Sequence, residues 1–259
     1  YIDIPESAIY IYYRVFARCT SLKSIKLPSN HAGVYAGLFY NCTSLETVYL
    51  PDDTYTIGEE AFRDCVNLKN VYFEDGTEIR EISRKAFYNC ESLEKIDLPY
   101  VGMIYESAFE NCYRLKKVDV KEGLKAINKR AFYNCVSLND FFIPESVNTI
   151  DSYALACFDY DNNIYVNGNF TIRGSKDSLA DEFANAYGVK WGLPAPILKS
   201  VSNIKAGVKV SFKQVAGVTG KYRVYRKTEG TSWKKLADVT GSTYTDTTAK
   251  AGVKYTYTV

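Results

Sequence analysis

Histidine and methionine each occur once, and tryptophan twice, in 259 residues. The lone histidine, His31, lies after Pro28 with no nucleophile to serve, so general-base catalysis is not expected of it. A single histidine also excludes the two-histidine zinc helix, and no glycine-rich phosphate loop, Gly-x-Ser-x-Gly elbow or Cys-x-x-Cys pair occurs. Asp159, Asp161 and Asn163 open like a calcium loop. Ile164 replaces the required glycine, however, and Phe170 the bidentate glutamate, so a turn is expected there. No apolar stretch approaches the roughly 18 residues of a membrane-spanning helix. Neither a signal peptide nor an initiator methionine is present. These gaps leave no catalytic residue, no metal set and no cofactor to expect, and neither nucleic acid nor membrane insertion among the partners.

What is present is a period. Seven cysteines stand at positions 19, 42, 65, 90, 112, 135 and 157, in steps of 22 to 25 residues. Each sits in one phrase: Ala86-Phe87-Tyr88-Asn89-Cys90-Glu91-Ser92-Leu93 recurs as Ala131-Phe132-Tyr133-Asn134-Cys135-Val136-Ser137-Leu138. A fixed period of this length means stacked coils, a solenoid whose usual work is to present a surface. Aligning the copies gives columns of Ile or Val (Val34, Ile57, Ile82, Ile104, Ile127, Ile150), small or apolar residues, Phe (Phe16, Phe39, Phe62, Phe87, Phe109, Phe132) and Cys, then Leu-x-x-Ile-x-Leu. The last segment alternates and predicts a short strand, with coils joined into a parallel sheet. Pro28, Pro51, Pro99 and Pro144 then end the strand. The Ile-x-x-x-Ala-Phe-x-x-Cys part predicts a short strand followed by a helical turn that packs Phe and Cys inward.

The inward cysteine column reads as buried core thiols, with an oxidative pair between adjacent coils as the alternative, and the Asn column (Asn41, Asn89, Asn111, Asn134) as side chains satisfying backbone groups at the turn. Asn41-Cys42-Thr43 fits a glycosylation sequon only because it is the repeat's own Asn-Cys pair. In the last copy Ala154-Leu155 hold the register, and Cys157 falls on the Asn position. Beyond it, Leu179, Phe183 and Ala186 share a helical face closed by Gly188, which predicts a capping helix. Ile2-Asp3-Ile4-Pro5 matches Ile25-Lys26-Leu27-Pro28, so the chain is expected to start within a coil.

The phrase, repeated almost intact over roughly residues 1–191, resembles the BspA-like leucine-rich repeat. The resemblance implies a curved solenoid on secreted or wall-attached bacterial proteins, often in adhesion, with no shared catalytic residues.

A second texture begins at Ala195-Pro196. Val208–Phe212, Tyr222–Arg226 and Val253–Val259 alternate with period two between turn signals such as Ala216-Gly217, which predicts a β-sandwich. This stretch resembles a bacterial fibronectin type III domain, with Phe212 where that family usually has a core tryptophan. A final strand is missing, so a partial sandwich is expected. Charge changes with texture. Residues 1–194 hold 20 Lys+Arg against 27 Asp+Glu, net −7, and residues 195–259 hold 12 against 3, net +9. The basic module reads as a soluble spacer, with acidic wall polymers as its other use.

The expected fold is therefore an α+β/β solenoid of about 23-residue coils over residues 1–194, with a parallel sheet and helical cap. A partial antiparallel sandwich follows over 195–259. The candidate ligand-binding residues lie between the inward residues of each strand: Asp3, Lys26, Tyr49, Tyr72, Asp97, Asp119 and Phe142, read as one continuous outward stripe. Exposed aromatics beside carboxylates suit a protein or glycan ligand, against plain cross-strand stabilisation. Tyr12, Tyr35 and Tyr105 form a second, broken column. The expected function is a non-enzymatic extracellular or cell-surface adhesion protein, the alternative a passive stalk within a larger surface protein.

Overall fold

Alternating apolar residues at the end of each repeat bury one side of a short strand and expose the other, and stacking the repeats sets these strands side by side. The computed structural model describes the chain apart from residues 1, 3, 6, 9–10, 30–32, 156, 161–162, 176, 194–195 and 216–220, and the side chains of 159–160 and 163–164. Asp3, His31, Asp161 and the Ala216-Gly217 turn lie outside the described residues. The chain divides into two units, Tyr1–Gly192 and Leu193–Val259.

The first unit runs β1 (Ser24–Lys26), β2 (Thr47–Leu50), β3 (Thr56–Ile57), β4 (Asn70–Phe73), β5 (Glu78–Ile82), β6 (Lys95–Asp97), β7 (Tyr100–Ile104) and β8 (Lys117–Asp119). It continues through β9 (Ala126–Ile127), β10 (Asp140–Phe142), β11 (Thr149–Ile150), β12 (Cys157–Tyr160), β13 (Asn163–Val166), β14 (Thr171–Arg173), α1 (Leu179–Tyr187) and β15 (Lys190–Gly192). The result is a β-solenoid of about seven coils with two parallel faces. The Ile column builds one unbroken sheet, with Ile57, Ile82, Ile104, Ile127 and Ile150 in register across β3, β5, β7, β9 and β11. The Leu-x-x-Ile-x-Leu strands build the other face, where Ile25, Val48 and Val71 align. That face separates into three ladders, β1-β2-β4, β6-β8 and β10-β14-β15. Its first break coincides with the 25-residue step between Cys65 and Cys90, whose extra residues turn at Gly76 (φ 94°).

The expected helical turn is instead a stack of β-turns. In each of the six coils from Arg14 to Asn134 two residues take left-handed backbone, for example Lys85 (φ 55°) and Asn89 (φ 59°), and this blocks a helix. Amides then alternate in direction. Those of Phe39, Phe62, Phe87 and Phe109 donate to Ala61, Ala86, Ala108 and Ala131 of the next coil at 2.7–2.8 Å, while Cys42, Cys65, Cys90 and Cys112 donate to the Phe of their own coil at 3.1–3.2 Å. Asparagine tolerates left-handed backbone best, which accounts for the Asn column. Its side chains correct the expectation made for them. Three of them bond along the stack, from Asn89 Nδ2 to Asp64 Oδ1 (2.7 Å), Asn111 to Asn89 (2.8 Å) and Asn134 to Asn111 (2.8 Å).

Inside, the Phe column is one stack from Phe16 to Phe132, with ring centroids 4.9–5.5 Å apart and planes within 12°. Beside it the thiols of Cys42, Cys65, Cys90, Cys112 and Cys135 donate to the Phe carbonyl of the preceding coil at 2.9–3.2 Å. None of the seven cysteines is in a disulfide. Burial pushes the Cys42 and Cys157 thiols up to about 11, and those of Cys65, Cys90 and Cys135 also upward. Thiolate is the reactive form. Native protein at pH 8 is therefore expected to alkylate at partly exposed Cys19 first and at these five only as fast as it unfolds; mass spectrometry of iodoacetamide-treated protein checks this.

At the far end β12 and β13 form an antiparallel hairpin, and the stack then resumes. Phe141, Ile172 and Trp191 align across β10, β14 and β15. The helix α1 is the crossover between β14 and β15, so two rungs flank it. Its buried face is Ala180, Phe183 and Ala184, with Tyr187 stacked on Phe183 at 4.3 Å. Ala186, expected inward, is exposed. Gly188 closes the helix in left-handed backbone (φ 65°).

The second unit holds β16 (Ile197–Ile204), β17 (Gly207–Lys213), β18 (Tyr222–Lys227), β19 (Lys234–Val239), β20 (Thr243–Asp246) and β21 (Thr256–Thr258). They form two antiparallel sheets, β16-β17-β20 and β19-β18-β21. Val210, Phe212, Tyr222, Val224 and Tyr257 are buried between them, and the Phe212 and Tyr222 rings meet across the gap at 5.1 Å. Buried Asp246 bridges the sheets: Arg226 Nη1 (2.6 Å) and the Tyr257 hydroxyl (2.8 Å) donate to one oxygen, and the Thr248 amide (2.9 Å) and hydroxyl (2.7 Å) to the other.

Candidate binding surface

The candidate residue of each strand points away from the core, because the residue before it (Ile25, Val48, Val71, Ile96, Val118 or Phe141) is buried. Register then decides which of these residues meet. Lys26, Tyr49 and Tyr72 align across β1, β2 and β4; Asp97 and Asp119 align across β6 and β8; Phe142 aligns with Arg173 of β14. The expected continuous stripe is thus three blocks, cut where the ladders part, and they differ in chemistry.

The first block is aromatic. Tyr49 and Tyr72 stack at 5.0 Å with 18° between planes, yet remain 44% and 49% exposed. Thr47 and Asn70 align beside them, with Asn70 Nδ2 3.4 Å from Thr47 Oγ1. Lys26 Nζ reaches Glu74 Oε1 at 3.4 Å, two coils away. The stacking consumes the facing ring surfaces, so the pair presents its outer faces and hydroxyl edges.

The second block is charged but internally matched. Lys95 pairs with Asp97 (3.2 Å) and Lys117 with Asp119 (2.5 Å) along the same strands. In the third block the charge beside half-buried Phe142 belongs to Arg173, whose Nε bonds both Asp140 oxygens at 2.7 and 2.9 Å. Exposed pairs of this kind contribute little to stability. They do neutralise the carboxylates that the sequence offered as ligand contacts.

A second outward feature was not singled out from sequence. Tyr40 lies between the guanidinium groups of Arg14 and Arg63, each 5.6 Å from its ring; Arg63 also faces Tyr88 at 5.4 Å, and Arg130 covers Tyr133 at 4.0 Å. Glu60 joins the row through Arg63 at 2.5 Å and Arg14 at 3.5 Å. The available signal was the residue after each Phe, which from the second copy reads Tyr40, Arg63, Tyr88, Glu110 and Tyr133, aromatic in turn with charged. Because its groups saturate one another, the row serves cohesion. In the broken column, Tyr12 and Tyr35 are exposed and Tyr105 is half-buried. Among the described residues no cluster of His, Cys, Asp and Glu could hold a metal, and no helix is long and apolar enough to cross a membrane.

Stacked coils with a Phe spine and a parallel strand face define a leucine-rich-repeat solenoid. A family model described as "BspA type Leucine rich repeat region (6 copies)" matches residues 1–100 and 80–176. The chain belongs to that family and is a repeat-based binding or scaffold protein. Among solved structures, a leucine rich cell surface protein from Faecalibacterium prausnitzii is 28% identical, with a TM-score of 0.48 over 60% of this chain and 46% of its own. A leucine-rich repeat protein from Bacteroides ovatus is also 28% identical, with a TM-score of 0.49 over 57% and 41%. A leucine rich repeat protein from T. pallidum is 26% identical, with a TM-score of 0.39 over 59% of each chain. The chain thus covers less than two thirds of these proteins. No curated protein matches it.

Proposed function

We propose that this is a non-enzymatic binding protein on the outside of a bacterial cell, secreted or wall-attached. Its solenoid contacts a protein or glycan through the block centred on Tyr49 and Tyr72, and residues 195–259 form a fibronectin type III-like spacer. The observation that carries this reading is the exposed tyrosine pair. Two large rings held in register are rigid contact area at low entropy cost, and the surrounding Thr47, Asn70, Lys26 and Glu74 supply a polar rim. Asp97, Asp119 and Phe142 stand at the margin, since their neighbouring charges already pair within the protein.

The test is binding of intact protein to an array of extracellular-matrix proteins and glycans. Tyr49→Ser with Tyr72→Ser is expected to weaken a positive signal about 30-fold, the loss of one central anchor cluster, with an unchanged melting temperature. Phe142→Ala is expected to weaken it far less. Full binding by the double variant would refute the tyrosine block. No binding by the wild type would favour the passive stalk, a reading that the internally paired Lys95–Asp97 and Lys117–Asp119 rungs support for that stretch of the wall.

A further inference from the structure

We propose that the second unit is more than a spacer: the outer face of its β19-β18-β21 sheet binds a linear acidic polysaccharide. Net charge sets the sign, since 12 cationic residues face only 3 acidic ones over residues 195–259. Of those three, Asp246 is buried and committed to Arg226, and Asp238 contacts Lys235 at 2.7 Å and Arg223 at 3.7 Å. Asp238 thus offsets one charge beside Arg223 and Lys235, and the excess of cations still leaves the unit strongly basic.

Strand alternation gathers part of that charge on one face. Tyr222 and Val224 are buried and Arg226 turns inward, so Arg223, Tyr225 and Lys227 face out, a row about 13 Å long. Lys235 and Thr258 align with Tyr225 on either side, and Thr256 aligns with Lys227. At one end Lys227 Nζ sits 4.8 Å over the ring of exposed Trp233. At the other, a recess of about 380 Å³ is lined by Lys221, Arg223, Tyr222, Tyr225, Pro196, Val215 and Val259. Cations, aromatic edges and threonine hydroxyls in one row match carboxylates and hydroxyls in one chain of sugars. Nucleic acid fits less well. Base stacking needs open rings, and here Tyr225 is half-buried while an ammonium occupies a face of Trp233.

The opposite sheet provides the control. Lys209 and Lys213 on β17 are exposed and align with Thr245 and Ile197, not with aromatic residues. Intact protein is expected to bind polygalacturonate at low ionic strength, to release it at high salt, and to ignore neutral dextran. Arg223→Gln with Lys227→Gln is expected to lower affinity about tenfold or more. Lys209→Gln with Lys213→Gln, the same change of charge, should leave it within about twofold. Trp233→Ala, which changes no charge, is expected to weaken binding several-fold. Equal losses from both charge pairs, no binding by the wild type, or tighter binding of single-stranded DNA than of polygalacturonate would each overturn the proposal. The Tyr49 and Tyr72 variants should not affect this affinity, so its failure and that of the solenoid contact are separable.

Discussion

Phe109→Ala is expected to destabilise the solenoid by about 3–5 kcal/mol. Phe109 is fully buried, 4.9 Å from Phe87 and 5.0 Å from Phe132, with planes within 5°. Truncation removes the buried ring and leaves a void that the neighbouring coils cannot close, because the 2.7 Å bonds from the Phe87 amide to Ala108 and from the Phe109 amide to Ala131 hold their spacing. Coils contact mainly their neighbours, so a gap in mid-stack also weakens coupling between the two halves. Denaturant unfolding should show an earlier, broader transition. The same change at Phe16, which is only half-buried, should cost visibly less. An unchanged melting temperature for Phe109→Ala would contradict the shared dry interior.

Asp246→Ala is expected to destabilise the second unit by a comparable amount, about 3–5 kcal/mol, because it leaves a buried guanidinium without its counter-charge. The Arg226 and Asp246 side chains are 13% and 0% exposed. The loss extends to the Tyr257 and Thr248 hydroxyls, which donate to the same carboxylate. The group also makes stability pH-dependent. Burial opposes ionisation of Asp246, but bonds from Thr248, Tyr257 and Arg226 outweigh it and hold the carboxyl below its ordinary range. A depressed folded pKa means the stabilisation is complete above the unfolded value of about 3.9 and is lost as pH falls through the folded value. Melting of the wild-type unit should therefore fall steeply below about pH 4, and that of Asp246→Ala should fall less. Parallel acid profiles would show that Asp246 carries no linkage.

The columns that bury were legible because each recurs at one place in the phrase, so Phe87, Cys90 and Ile82 could be aligned before any coordinates. What stayed hidden depends on geometry that periodicity does not encode. Asn89 and Asn134 were visible as a column, but only left-handed backbone explains why asparagine stands there, and only stacking shows that its amides bond each other. Tyr72 and Asp97 occupy equivalent positions in the phrase and successive coils, yet their strands belong to different ladders, so one series in sequence becomes three hydrogen-bonded blocks in the structure. In α1 a one-residue error at the margin of the apolar face chose Ala186 where Tyr187 packs. In the second unit β16 was missed because all eight of its residues are exposed. Irregular pairing between Val224 and Tyr225 offsets β19 from its neighbour. Asp246 lies on β20, a strand that was also missed, so nothing in its local sequence marked it as buried.

The most direct test is the spacing of the outward residues. With Cys19 replaced by serine and the buried thiols unreactive, nitroxides can be placed at Lys26 and at Asp97, Asp119 or Phe142. One strand spacing per coil predicts distances that grow in even steps of about 5 Å, from about 14 to 19 to 24 Å. Distances that fail to grow from Asp97 to Phe142, or that scatter broadly, would contradict the stacked coils and the binding surface built on them.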